Sequence, residues 1–230
     1  MTDILRFATE FTVYDGRQHV LGASMIAAID DFARRVLRVS SDQVFRIKRA
    51  KFTVKTGCDG EILVYLGGAL PDAEGAYAAT VTGVFGEQPV AAAFSPDSTQ
   101  PVRRSAPSAN RITAIEPTEE FGGSCHIVTS GLESTLRSLV DANKLVQLSG
   151  RGLQGHFGDR QPITELVYLE GVELVAAMHE LDTDVEISSR GGRVADGRLY
   201  TLNSLAFADS RGNARRLRMA FSFENPVSGA

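Results

Sequence analysis

The sequence predicts an α+β fold built from two like halves, each a long helix wrapped by antiparallel strands. Three observations predict it. Apolar residues take helical spacing twice, once over 24–38 and once over 131–147. Each helical stretch is followed by short β-rich runs punctuated by Gly turns. Between the two series, Ser95–Asn110 holds three prolines and several serines and has no apolar period. The repeat is one of pattern and only weakly of letters: His19-Val-Leu-Gly-Ala-Ser-Met leads one helix and His126-Ile-Val-Thr-Ser-Gly-Leu the other.

The first half opens on Leu5–Tyr14, rich in Phe, Thr, Val and Tyr, which suits a strand. From Ser24 to Arg38 the period changes to that of a helix. Met25, Ile26, Ile29, Phe32, Ala33, Val36 and Leu37 form the apolar stripe, with charged residues between them. Ser24 is the expected N-cap, and the acids Asp30 and Asp31 precede Arg34 and Arg35, as the helix dipole prefers. Strands are expected over Val44–Val54, Glu61–Leu66, Ala76–Phe85 and Pro89–Phe94, with turns at Gly57, Asp59-Gly60, Gly67-Gly68 and Gly86.

The order then repeats. Ile112–Glu120 suits a strand, and Gly131–Gln147 a helix with Leu132, Leu136, Leu139, Val140 and Leu145 on its apolar face. A Gly-rich loop is expected over Gly150–Pro162. Strand-like runs resume at Thr164–Tyr168, Val172–Leu181, Thr183–Ser188, Leu199–Ala208 and Arg215–Phe223. The expected organisation is a first unit over 1–95, a surface linker over 96–110 and a second unit over 111–230. A curved sheet buries its concave face on one helix, and two such sheets gain by pairing edge to edge, which removes two exposed edges. The arrangement is a tandem, or double, hotdog: two long central helices wrapped by the strands of one extended sheet. The rivals are a pair of other α+β domains and a large β-sandwich with two helices on it.

Composition bounds the function. With 24 Lys and Arg against 28 Asp and Glu, the net charge is −4, which argues against a nucleic-acid partner. The pairs Arg103–Arg104 and Arg215–Arg216 read as solvated surface. No stretch reaches the roughly 18 apolar residues of a membrane span. The opening residues show no basic region followed by an apolar run, so a cytoplasmic protein is expected. Cys58 and Cys125 are then reduced thiols. No His, Cys or Asp spacing suggests a metal, and no Gly-rich turn between a strand and a helix suggests a nucleotide, so no cofactor is expected.

Residues 129–140 read Thr-Ser-Gly-Leu-Glu-Ser-Thr-Leu-Arg-Ser-Leu-Val. This stretch resembles the double-hotdog dehydratases, chiefly the dehydratase domains of modular polyketide synthases and more distantly the fatty-acid 3-hydroxyacyl dehydratases. Leu132 sits where that family has its second apolar residue, Glu133 where it has a catalytic Asp, and Arg137 where it has a Gln or His. The run from Pro162 to Leu174 resembles the strand that follows in those domains, and Val20-Leu-Gly-Ala-Ser-Met-Ile resembles their Pro-Gly helix start, with Leu21-Gly22 in place of Pro-Gly. The family's catalytic His falls near Thr12–Val13 in this sequence, whereas His19 lies two residues before Leu21.

The resemblance implies an acyl group carried as a thioester on acyl carrier protein or coenzyme A, and a lyase-type dehydration, isomerisation or cyclisation in polyketide or related lipid biosynthesis. A homodimer is compatible with it. Such chemistry needs a base for the proton α to the carbonyl and an acid for the leaving hydroxyl. His19 and Glu133 are the catalytic candidates, against the plainer readings of a loop histidine and a helix-surface ion pair of Glu133 with Arg137. Gly22 and Ser24, at the start of the first helix, are candidates for substrate binding through helix N–H groups. Arg137, His126 and His156 complete the substrate-binding set. His126 follows Cys125, but neighbours on a strand point to opposite faces and do not share a proton; its other expected pairing is with Asp30 or Asp31. His156 lies in the Gly-rich stretch 155–159, and His179 in a strand-like run reads as structural. The rival functions are a non-catalytic acyl-chain or carrier-protein binding module and a double-hotdog thioesterase or acyltransferase.

Overall fold

A computed structural model describes residues 4–14, 18–40, 43–53, 56–67, 70, 77–107, 111–118, 120–158, 160–174 and 180–225. His179, with part of the strand expected over Val172–Leu181, lies outside the described residues.

In the first half, β1 (Ile4–Thr9) and β2 (Thr12–Tyr14) precede α1 (Gly22–Leu37). Then come β3 (Phe45–Phe52), β4 (Cys58–Leu66), β5 (Ala79–Phe85) and β6 (Gln88–Pro101). In the second half, β7 (Arg104–Ala106), β8 (Arg111–Pro117) and β9 (Gly123–Ser130) precede α2 (Leu132–Ser149) and α3 (Arg151–Phe157). The chain ends on β10 (Ile163–Leu174), β11 (Glu180–Ala195), β12 (Arg198–Ala208) and β13 (Ala214–Glu224).

Among the described residues, eleven strands form one sheet in the order β1-β4-β6-β5-β3-β10-β13-β12-β11-β9-β8. Every neighbouring pair in it is antiparallel. Strands of the first half occupy one side and strands of the second half the other. They meet where β3 pairs with β10, from Lys51 opposite Tyr168 to Phe45 opposite Leu174. That pairing satisfies two edges that would otherwise present unpaired N–H and C=O groups.

The strands alternate as half-buried strands must. In β5, Ala79, Val81, Gly83 and Phe85 face inward, and in β12 every second residue from Leu199 to Phe207 does. The inward face of β3 to β6 meets α1, and that of β8 to β11 meets α2; the two helices also touch each other. Ile26, Ile29 and Ala33 of α1 pack in the same core as Phe45, Ile62, Phe85 and Phe94, all fully or almost fully buried. The Phe45 and Phe85 rings stack at 4.4 Å. Leu136, Leu139, Ala142 and Val146 do the same for α2, against Ile127, Leu205, Phe221 and Phe223. Each large apolar side chain so buried contributes about 1.5–3 kcal/mol.

Two expectations are corrected. The stretch over 96–110 carries strand structure: β6 runs on to Pro101 against β4, and β7 pairs in parallel with β2. Backbone pairing there needs no apolar period, which is why the sequence shows none. The Gly-rich stretch 150–162 is not an open loop, because Leu153 is buried and anchors a two-turn helix, α3. Strand β9, just ahead of α2, is an additional element.

Helix α1 ends at Arg38, whose φ of 52° and ψ of 37° are left-handed, with its N–H reaching the carbonyls of Arg34 and Arg35. A side chain in that region costs about 1–2 kcal/mol, and the exposed Arg38 fills a position where glycine is the common solution. Arg38→Gly is expected to stabilise the protein by about 1 kcal/mol, read as a rise in Tm; an unchanged or lower Tm would contradict this.

Candidate active site

Ser24 is not the N-cap of α1. The cap position belongs to Leu21, in an extended conformation, and no side chain caps the first turn. Ser24, 4% exposed, instead turns its hydroxyl toward α2 and donates to Glu133 Oε1 at 2.6 Å. Glu133 is the second residue of α2, half-buried, where a carboxylate suits the positive end of the helix dipole. The length of the bond is that of a hydroxyl on a carboxylate. It ties the two helix starts together.

Tyr14 joins this pair from the end of β2. Burial pushes its phenol above the ordinary value of 10.0; the negative charge of Glu133 adds to this, and the nearby Arg137 works against it. Glu133 and Arg137 thus act on the phenol in opposite directions. Arg137, one turn after Glu133, is 4% exposed, and its guanidinium carbon lies 3.8 Å from the centre of the Tyr14 ring. A cation over an aromatic face is attractive at this distance. Arg137 is therefore no member of a solvent-facing charge ladder.

A cavity of about 640 Å³ opens beside this cluster. His19 and the first turn of α1, from Leu21 to Ala23, form one side. Arg137, Val140, Asp141 and Lys144 form the other, along one face of α2. Phe52, Leu166 and Phe221 supply apolar wall. The uncapped first turn of α1 brings backbone N–H groups to this space, a natural partner for a carbonyl or an anion. Gly22 is needed there, because a Cβ would come within 2.6 Å of the Phe52 ring.

Of the residues singled out in the sequence, His19, Gly22 and Arg137 line the cavity. Ser24 and Glu133 bond to each other next to it, and neither is part of its lining. Arg137 both lines the cavity and covers Tyr14, so the Tyr14–Glu133–Ser24 cluster lies against the cavity wall at Arg137. Asp30 is buried in an ion pair with Arg34 at 2.9 Å and belongs to the helix.

His126 and His156 are elsewhere. His126 points away from Cys125 on β9 and sits between two carboxylates of β11: Asp184 at 2.9 Å from Nδ1 and Asp182 at 3.1 Å from Nε2. The hydrogen bond with Asp184, with the charges of both acids, raises its pKa above 6.5 against the smaller opposing effect of burial. A raised folded pKa stabilises below the unfolded value, near 6.5, and the gain is lost as pH rises through the folded value. His126→Asn is thus expected to lower Tm at pH 5.5 and to leave it nearly unchanged well above neutrality; an equal loss at both ends would contradict this. His156 is exposed on α3, stacked near Phe121 at 6.5 Å between ring centres.

Tyr14 is the functional candidate that sequence reading misses, since it looks like an ordinary strand residue. The available signal was positional: the dehydratase histidine falls near Thr12–Val13, next to it.

No protein-family model matches the sequence, and no curated protein matches it significantly. Solved structures do. The dehydratase domain of RzxB from Pseudomonas fluorescens aligns over 94% of this chain and 93% of its own, with 14% identity and a TM-score of 0.52. The dehydratase domain of the polyketide protein PpsC from Mycobacterium tuberculosis aligns over 98% and 94%, with 10% identity and a TM-score of 0.51. A tesB protein from Mycobacterium avium subs paratuberculosis aligns over 95% and 92%, with 12% identity and a TM-score of 0.51. Among the described residues no helix is long and apolar enough to cross a membrane. The resemblance to dehydratase domains carried by Thr129–Val140 is met at the level of the whole chain: its fold, among the described residues a mostly antiparallel sheet with three helices, is similar to that of those domains.

Proposed function

We propose that this protein is a tandem hotdog, with α1 and α2 as its central helices, that binds an acyl group carried as a thioester and acts on it by proton transfer. The carrier is acyl carrier protein or coenzyme A. The two units meet at the β3–β10 pairing, and the crossing between them is the chain from the end of β6 through β7. The observation that carries the reading is the cavity in which an uncapped helix start, a histidine and a buried arginine share one space. N–H groups of the α1 first turn would polarise the thioester carbonyl, which acidifies the C2 proton. His19 would take that proton as the C2–C3 double bond forms and the C3–O bond breaks. It would then hand the proton to the departing hydroxyl, so that one water leaves and no oxidant or reductant is needed. Glu133 acts in this reading through Ser24 and Tyr14, as a residue that fixes the helix starts and the face of Arg137.

One observation favours a second reading, a binding module without turnover. Glu133 is held by Ser24 and lies outside the cavity lining, whereas the dehydratases that its stretch resembles use that carboxyl as a reacting group. Incubation with 3-hydroxyacyl thioesters of coenzyme A and of acyl carrier protein, followed by mass spectrometry, separates the readings. Loss of water supports the enzyme. Tight binding of an unchanged thioester supports the module, release of the free carrier points to a hydrolase, and no binding at all removes both proposals.

A further inference from the structure

Strand β3 reads Phe-Arg-Ile-Lys-Arg-Ala-Lys-Phe, and its apolar residues Phe45, Ile47 and Ala50 are buried in the core. Alternation therefore sends Arg46, Arg49 and Lys51 to the outer face of the sheet, away from the helices. The irregularity between Ile47 and Arg49 leaves Lys48 exposed beside them. Strand β13 adds Arg216 and Arg218 from across β10: Arg49 lies opposite Glu170, and Glu170 opposite Arg218. Six cations thus share the middle of this face with two acids, Glu170 and Glu173. Glu173 meets Arg46 at 3.1 Å and Glu170 meets Arg218 at 3.5 Å. Glu173 also binds Arg215, whose other partner is Asp209, so that pair leaves the balance unchanged. Arg49 lies over the Tyr168 ring at 5.5 Å. Lys48, Lys51 and Arg216 are exposed and have no acidic partner among the described residues. The outward residues on either side are uncharged, Thr80, Thr82 and Val84 on β5 and Leu202, Ser204 and Ala206 on β12. Beyond β12 stands an acidic row on β11, with Glu186 two strands, about 10 Å, from Arg216. At the far end Glu165 and Glu224 are both held by Arg198, a triad one charge negative. With that triad and Glu186 counted, the stripe is still positive in a chain whose net charge is −4.

Resting on the acyl-thioester reading above, we infer that this stripe docks an acidic helix of the protein that carries the acyl group. Its dimensions suit one. Arg46 to Lys51 spans about 17 Å along β3, and β3 to β13 about 10 Å across. Three helical turns measure about 16 Å, and a helix with its side chains is about 10–12 Å wide. The β11 acids oppose a polyanion that runs on across the sheet, which disfavours a nucleic-acid strand. The stripe also leads to the cavity: Phe52 and Thr53, which follow Lys51, and Leu166, two residues before Tyr168, line it. A carrier seated on the stripe therefore holds its thioester arm at the cavity rim. Coenzyme A has no such helix, so the acyl group arrives on protein.

The probe is an alanine-based helical peptide of about 18 residues with glutamate along one face, set against the same peptide with glutamine there. Fluorescence anisotropy on the intact protein reads the binding. The glutamate peptide is expected to bind at least about tenfold more tightly, the scale of several exposed ion pairs together. The preference should fall with added salt. Lys48→Glu, Lys51→Glu and Arg216→Glu, made together, should remove it at unchanged Tm. The same change of net charge made elsewhere, by Arg103→Glu, Arg111→Glu and Arg190→Glu at exposed positions, should leave it in place. Equal binding of the two peptides overturns the inference, and so does an equal loss in the two triple variants. Tighter binding of a thymidine oligonucleotide or of phosphatidylglycerol vesicles than of the glutamate peptide also overturns it, in favour of a nucleic acid or a membrane. Hexanoyl-pantetheine, which brings no carrier, should bind the native protein and the stripe variant alike in calorimetry. If it fails to bind the native protein, the acyl-thioester reading and the carrier assignment fall together, whatever the peptide does. If it binds and the glutamate peptide does not, only this inference falls.

Discussion

Asp209→Ala is expected to destabilise the protein by about 3 kcal/mol, the scale seen when one member of a buried charged network is removed. Asp209 closes the turn between β12 and β13, and its side chain is completely shielded from solvent. One carboxylate oxygen accepts the backbone N–H groups of Arg211 and Asn213, each at 2.9 Å. The other accepts Arg215 Nε at 2.8 Å, and the Asn213 amide reaches both. Alanine leaves the two backbone donors without an acceptor, and a buried orphan donor costs about 1–3 kcal/mol. Arg215 is less affected because it keeps Glu173 at 2.6 Å. Asp209→Asn, which retains one acceptor, should cost about half as much. Urea unfolding checks this through the midpoint at unchanged slope; a loss below about 1 kcal/mol would show that the turn holds without the carboxylate. Burial alone would raise the pKa of Asp209. Its hydrogen bonds from Asn213, Arg215 and Arg211 outweigh that and hold the carboxyl below 3.8. A lowered folded pKa contributes stability above the unfolded value, near 3.9, and the contribution is lost as pH falls through the folded value. Native and Asp209→Ala stabilities should therefore converge in acid and stand furthest apart near neutrality.

The turn that Asp209 builds is also a fair measure of what sequence can and cannot disclose. Strands β12 and β13 are legible to within a residue, because alternation over Leu199–Ala208 and Arg215–Phe223 reflects a face that must be buried. Helices α1 and α2 are legible for the same reason. Their starts are less so. Ser24 has the chemistry of an N-cap, but a hydroxyl that bonds a carboxylate from another helix is indistinguishable in sequence from one that bonds its own backbone. The strand character of residues 96–101 and 104–106 is invisible because it depends on backbone partners in β4 and β2. The site divides along the same line. Glu133, Arg137 and Gly22 stand out through the resemblance of their stretches to the helix starts of the dehydratase domains. Tyr14 becomes part of the site only through the parallel pairing of β2 with β7 and its stacking under Arg137, contacts between residues far apart in the chain. His126 shows the converse: its residue type suggests chemistry, while the register that sets it opposite Asp184 makes it a surface ion pair.

If His19 carries the proton, His19→Ala should lower turnover of a 3-hydroxyacyl thioester by about 10²–10⁴-fold, the usual contribution of a positioned acid or base. Its effect on binding should be small. The side chain is half-buried and lines the cavity beside the first turn of α1. Glu133→Gln is the informative companion. Gln preserves length and can still accept the Ser24 hydroxyl, but it removes the charge that, after burial, raises the Tyr14 phenol. If Glu133 only fixes its neighbours, Glu133→Gln should retain most of the turnover, while Glu133→Ala, which frees the Ser24 hydroxyl, should lower Tm as well as activity. The opposite pattern, with Glu133→Gln inert and His19→Ala near native, would make Glu133 the proton carrier. Arg137 would then have to leave its place over Tyr14 during turnover, for in the resting structure the cavity wall beside Glu133 is Arg137 itself. The pH profile separates the two further. A histidine base gives a rate that rises with pH as the imidazole loses its proton. A glutamic acid that must be protonated to assist the leaving hydroxyl gives a rate that falls over the pH range in which its carboxyl ionises.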